Sequence, residues 1–438
     1  MASAQGAPLT MFDVTTARST AIKPLATWNV RLFVVCLAAL SVSLPIAWIS
    51  LAKALVFILG LIYLIASVWL QRNDAAWQQL WTTRIVLAIL IVFSASLLWT
   101  EADTEAALYS YVKHAKLLGI LLVMSLIRTV REARLGVLFY AGGQGFLLLS
   151  SWAIYVGLPV PWVTEEATKY VVFSTYLDQS IMFATSAAIF WHLRDERLWP
   201  KWVGISVALL ALANALLLLE GRTGYLAAIT TLALAVMWAL PKRFSLATLV
   251  ITPMVVLLML SLVSAQVRER VNEIFNESAN YSKSQQVGAR DSSGWRLNAW
   301  RRSVQAIESN PLRGHGVGAW TPAVKQLEDS KMGNRLYGEG NHSNPHQEYL
   351  LWGVELGVGG VFLFMAMMVC MVRDALHFPK SIQRATLSVL AALAVACLFN
   401  STLYDDWIGD FFCISLGLLF AIGVRTTAFA RPTSAPSR

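Results

Sequence analysis

Charge is scarce in this chain. Only 14% of its 438 residues are Asp, Glu, Lys or Arg, where a soluble protein carries roughly a quarter. That scarcity excludes an ordinary water-facing surface over most of the molecule. Cysteine is rarer still: Cys36, Cys370, Cys397 and Cys413 lie inside apolar runs, and none forms a CxxC pair. They read as small buried hydrophobes, not as a disulfide framework or a thiolate metal site. The sequence has no Walker loop and no glycine-rich fingerprint between a strand and a helix, which argues against a nucleotide substrate. It shows no strong metal-ligand spacing and no convincing internal repeat. The first 30 residues are polar and lack a signal-peptide core, so the first apolar run is expected to stay as an uncleaved span.

What the chain has instead is hydrophobicity, at 56% of residues. The apolar residues fall in blocks of about 17–25, enough for a helix to cross about 30 Å of hydrocarbon. We place spans near 31–49, 51–70, 82–99, 110–127, 134–156, 178–193, 201–219, 224–240, 245–265, 347–372, 383–400 and 407–425. The expectation is therefore an all-α integral membrane protein of about 12 transmembrane helices. Trp48, Trp69, Trp99 and Trp202 stand near the ends of these runs, as interface anchors do. The net charge of +9 is read as orientation rather than as nucleic-acid binding. With the N-terminus inside, the inner loops hold about 19 basic residues against about 5 in the short outer loops. That positive-inside bias places both termini in the cytoplasm and the long segment after residue 265 outside it.

This long segment is the anomaly. The chain divides into nine spans (1–265), a polar loop (266–346), and three spans with a cytoplasmic tail (347–438). Connections of about 80 residues are rare without a function. Segment 267–276 reads as a short amphipathic helix, and 295–308 as another with Leu297, Trp300, Val304 and Ile307 on one face. Asn310-Pro311 stops that helix, and Gly314-His315-Gly316-Val317-Gly318 makes a sharp turn. The loop is thus expected to be partly helical, a cap on the bundle.

Three of the six histidines fall here, His315, His342 and His346, with eight arginines including Arg296, Arg301 and Arg302. An outward-facing arginine set suits either anionic headgroups or a phosphate or diphosphate, whose oxygens match guanidinium forks. Arg222 sits in Glu220-Gly221-Arg222-Thr223-Gly224, a short turn between apolar spans, where a charge needs a partner. His346 meets the membrane edge after a polar turn and can act as general base, with His342 as rival. Glu355 is either a buried partner for a basic group or turned to an aqueous groove. Gly353-xxx-Gly357 reads as a close-packing pattern, and Gly314, Gly316 and Gly318 as a tight turn or a nest of N–H groups. Asp405 and Asp406 form an outer acidic pair, either solvated or oriented toward a metal or hydroxyl.

Together these pieces resemble the O-antigen ligase and polymerase superfamily of bacterial envelopes. The resemblance covers about the second half of the chain. It rests on Gly221-Arg222-Thr223-Gly224, on Trp295-Arg296-Leu297-Asn298-Ala299-Trp300 running into Asn310-Pro311-Leu312-Arg313-Gly314-His315-Gly316, and on His346-Gln347 followed after nine residues by Gly357 and Gly360. It implies a metal-independent glycosyltransferase of the GT-C type in the bacterial inner membrane, its catalytic loop facing the periplasm. The donor would be an undecaprenyl-diphosphate-linked glycan and the acceptor lipid A–core oligosaccharide, with no cofactor and no nucleic acid. By resemblance, His346 is the catalytic base, Arg222 and Arg296 contact the diphosphate, and Arg301, His315 and His342 are secondary. The alternatives are an O-antigen polymerase or a protein O-oligosaccharyltransferase; the latter usually has a longer chain after the His motif, and the short tail after the last span here argues against it. A transporter of lipid or polysaccharide would instead need broken helices and paired charges near the midplane, and mid-span charges here are few.

Overall fold

The computed structural model describes residues 29–69, 76–164, 170–219, 221–241, 243, 245–263, 268, 292–329 and 343–430. Among these residues there is helix and no strand. The first half forms α1 (Val30–Ser41), α2 (Ile46–Trp69), α3 (Trp81–Ser96), α4 (Thr104–Ala115), α5 (Leu118–Leu126), α6 (Val130–Tyr155), α7 (Tyr176–Leu193), α8 (Lys201–Ala213), α9 (Arg222–Ala239) and α10 (Ser245–Val263). The second half forms α11 (Ser292–Ser309), α12 (Trp320–Asp329), α13 (Glu348–Leu356), α14 (Val358–Ala375), α15 (Lys380–Phe399) and α16 (Asp406–Ala430).

Seven of the described helices are long and apolar enough to cross a membrane, or eight if the bent pair α4–α5 counts as one span. This makes the chain a multi-pass all-α membrane protein. The remaining expected windows hold helices of other kinds. The helices Val30–Ser41 and Trp81–Ser96 are apolar but short. The window at 110–127 is bent by 42° between α4 and α5. The window at 347–372 is not one helix. It breaks at Gly357, whose φ of +68° and ψ of −162° suit glycine alone. A Cβ there would lie 2.4 Å from the Pro311 carbonyl oxygen, so the loop packs straight onto the break. In Gly353-xxx-Gly357 both glycines allow close approach of the loop: Ile307 of α11 fills the space a Gly353 side chain would occupy, and the Pro311 backbone fills that at Gly357.

The helix ends gather on two rims. On one, Arg31 makes a two-pronged pair with Glu132 at 2.7 and 2.8 Å, and Arg425 donates to the Ile127 carbonyl at 2.8 Å. Asp374 caps α3 there through the Thr82 N–H at 2.7 Å. Most basic residues of the short loops lie on this rim. The opposite rim carries the starts of α4, α7, α9, α13 and α16, together with α11 and α12. α16 runs through the middle, its span wholly buried.

The loop helix exists as expected, over Ser292–Ser309, but its buried face is offset. Ala299, Ser303 and Ala306 face inward with Ile307, while Val304 is 43% exposed. Small residues let α11 lie close against α13, and that gain in packing outweighs burying Val304. The segment 267–276, apart from Arg268, lies outside the described residues.

Candidate functional site

Four segments meet on the rim opposite the Arg31–Glu132 pair. The first is the start of α9. Gly221 caps it, and a Cβ on Gly221 or Gly224 would lie 2.2 or 2.0 Å from Ser180 Oγ of α7. The glycines therefore let α9 seat against α7 and leave Arg222 half-buried at the first turn. The second is α11. Its Arg296 donates through Nη1 to the Phe399 carbonyl at 3.2 Å, at the end of α15. Burial holds the Arg296 guanidinium below its usual range, the nearby positive charge of Arg222 adds to this, and Tyr176 and Asp405 oppose it. Arg296 is thus within electrostatic reach of both Arg222 and the Asp405 carboxylate.

The third segment is the turn before α13. His346 stands at φ +49°, a conformation few non-glycine residues adopt. Asn344 Oδ1 accepts the His346 N–H at 2.9 Å, and Trp300 Nε1 donates to the Pro345 carbonyl at 3.1 Å. Trp295 meets the imidazole edge to face at 5.4 Å. The strained backbone is thus held from both sides, and it sets the ring toward α15 and α16. The fourth segment is the α15–α16 connection. His346 Nδ1 lies 3.1 Å from Asn400 Oδ1, and Asn400 Nδ2 donates to Asp405 Oδ2 at 3.0 Å. Burial pushes the Asp405 carboxyl up to about 6, against the pull of Lys113, Lys116 and the Asn400 hydrogen bond. Lys116 donates to the Asp405 carbonyl at 2.8 Å, and Asp406 pairs with Lys113 at 3.6 Å. Glu348, fully buried, accepts the N–H groups of Leu403 and Tyr404 at 3.0 and 3.2 Å and so fixes this connection.

The structure therefore brings together Arg222, Arg296 and His346 of the expected residues. It places others elsewhere. Arg301 is exposed, five residues beyond Arg296 and so about 140° round α11. His315 is buried and holds the loop to the bundle: its Nδ1 meets Glu101 at 2.8 Å, and its Nε2 meets the Ala306 carbonyl at 2.9 Å. Gly314, Gly316 and Gly318 form a tight turn rather than an open nest. The His315 and Gly316 N–H groups donate to Val354 and Glu355 carbonyls, and Gly318 N–H to Glu355 Oε1 at 2.7 Å. Glu355 is buried and also accepts from Ser110, with His114 Nε2 at 2.7 Å, so it is a partner inside the protein and not turned to an aqueous groove. His342 lies outside the described residues.

Sequence reasoning missed Asn400 and undervalued Asp405. Asp405 is not freely solvated, and Asn400 is 2% exposed, a buried amide at the end of an apolar run. A lone Asn closing a span was the available signal. Among the described residues no three His, Cys, Asp or Glu side chains are grouped to hold a metal ion. The apolar groove between α7, α8 and α9, lined by Trp191, Leu209, Leu212 and Val236 among others, lies toward the opposite rim and includes none of these candidates.

Fold and site together define a multi-pass α-helical membrane protein with its arginine, histidine and carboxylate groups converging on one rim. Residues 207–365 match the model of the O-antigen ligase family, and over that stretch the chain is similar to O-antigen ligases. The matched stretch contains Arg222, Arg296 and His346 and stops short of Asn400 and Asp405. No curated protein matches the chain.

Proposed function

We propose that this protein transfers a glycan from an undecaprenyl-diphosphate carrier to a sugar hydroxyl of lipid A–core oligosaccharide, at the outer face of a bacterial inner membrane. The observation that carries this reading is the convergence of Arg222, Arg296 and His346 on one rim. Counting short, bent and buried helices, we read the bundle as about twelve crossings of the GT-C type. The positive-inside bias puts the basic rim and both termini in the cytoplasm and the site in the periplasm.

Chemistry at such a site has no cytosolic nucleotide sugar to draw on, so a membrane-borne activated donor suits it. As the glycosidic bond breaks, negative charge grows on the departing diphosphate. Arg222 and Arg296 stabilise that charge with donors already in place. His346 takes the proton of the attacking hydroxyl, the new glycosidic bond forms on the opposite face, and the anomeric centre inverts. Two guanidinium groups neutralise the diphosphate in place of a metal, so a chelator is expected to leave the rate unchanged. A rate restored only by added divalent cation would return Asp405 and Asp406 to that role. Arg301 and His315 take no direct part in this scheme; His342 stays a secondary candidate.

The deciding experiment is the lipopolysaccharide profile of a strain lacking the protein. Loss of long-chain glycan, with undecaprenyl-linked polymer still accumulating, is the expected result. Single repeat units left on the core would identify a polymerase instead, and an unchanged profile would sink both readings.

A further inference from the structure

We infer that Asn400 is a positioning residue that sets the tautomer of His346, by holding its side-chain oxygen to Nδ1 so that Nε2 becomes the basic nitrogen. This rests on the reading of His346 as general base.

The argument starts from Asp405. An ionised carboxylate offers only acceptors, so the Asn400 group that faces it at 3.0 Å must be the NH₂. The two ends of an amide have nearly the same shape, and the hydrogen-bond network decides between them. With the NH₂ committed to Asp405, the Oδ1 faces His346 Nδ1 at 3.1 Å. Two acceptors cannot share a hydrogen bond, so Nδ1 carries the proton. A neutral imidazole then has its lone pair on Nε2. The amide has little freedom to do otherwise. Asn400 is 2% exposed and its N–H is tied to the Ala396 carbonyl at 2.9 Å, while the ring is braced by Trp295. The relay therefore does for His346 what an orienting group does for any base: it chooses which nitrogen can accept a proton.

The test uses the full chain in lipid nanodiscs with ¹⁵N-labelled histidine, the His346 signal being identified among six by its loss in His346→Ala. Wild type is expected to show neutral His346 protonated on Nδ1. In Asn400→Leu, a near match in shape, both tautomers are expected. Transfer from undecaprenyl-diphosphate-linked glycan to lipid A–core should then fall about 10–100-fold, the usual cost of losing an orienting partner. Asp405→Asn, which frees the amide to turn over, should also give both tautomers, and it serves if Asn400→Leu fails to insert. A single Nδ1–H tautomer persisting in both variants, or Nε2–H in wild type, would overturn the inference. An inactive His346→Ala beside wild-type rates in both relay variants would remove Asn400 alone and leave the base intact. Full activity in His346→Ala would remove the base itself.

Discussion

At the scale of single residues, the rim chemistry depends on groups whose type cannot be exchanged for a near relative. A guanidinium presents a fixed fork of donors, while a lysine ammonium is a mobile point charge. Arg222→Ala or Arg296→Ala is expected to slow transfer about 10²–10³-fold, the scale set by removing one preorganised donor from a developing anion. Lys at either position should recover little of that loss; steady-state rates close to wild type with Lys would reduce the pair to bare charge. His346→Ala should cost about 10²–10⁴-fold in turnover while donor binding persists, because proton removal is lost and the arginines remain. These three residues were legible as types before any coordinates. Asn400 was not, because an amide at the end of an apolar run carries no pattern until its neighbours in space are known.

At the scale of elements, two glycine contacts position the site. Gly357 ends α13 in a conformation open only to glycine and touches the Pro311 carbonyl. Gly357→Ala is expected to destabilise the protein by more than about 1–3 kcal/mol, read as a lowered thermal midpoint in detergent. Gly224 seats α9 on Ser180 of α7. Gly224→Ala should push the α9 start away and carry Arg222 with it, lowering transfer while the protein still inserts. A second change, Ser180→Gly, empties the space and should restore part of the rate; no recovery would mean that Gly224 acts by another route. Sequence periodicity found α11 and its Asn310-Pro311 stop. It kept Ile307 but set the buried face off to one side, because hydrophobicity marks what avoids water, whereas the small residues Ala299, Ser303 and Ala306 mark how closely two helices approach.

At the scale of the whole molecule, orientation and pH dependence can be measured together. Cysteine introduced at Arg301, exposed on α11, is expected to react with an impermeant maleimide added outside, and cysteine at Asp195, exposed on the opposite rim, only after the membrane is opened. The reverse pattern would put the site in the cytosol and end the proposed reaction. Asp405 is pushed up to about 6, above the ordinary range near 4, so the folded protein binds a proton more tightly than the unfolded chain. That contribution is fully present below about pH 4 and is lost as pH rises through about 6. Asp405→Asn should therefore raise the thermal midpoint relative to wild type at pH 7.5 and lose that advantage at pH 4.

Composition and apolar block length by themselves determined that this chain is an α-helical membrane protein, because a backbone in hydrocarbon has few ways to satisfy its own hydrogen bonds. Local order likewise gave the helix stops, the glycine turns and the residue types suited to a diphosphate. Which of those residues meet was decided only in three dimensions. Arg222, Arg296, His346, Asn400 and Asp405 come from four segments separated by long stretches of chain, and helix packing alone sets their distances. The same packing turned His315 into a brace and Arg301 outward, although in the sequence they looked no different from the residues that converge.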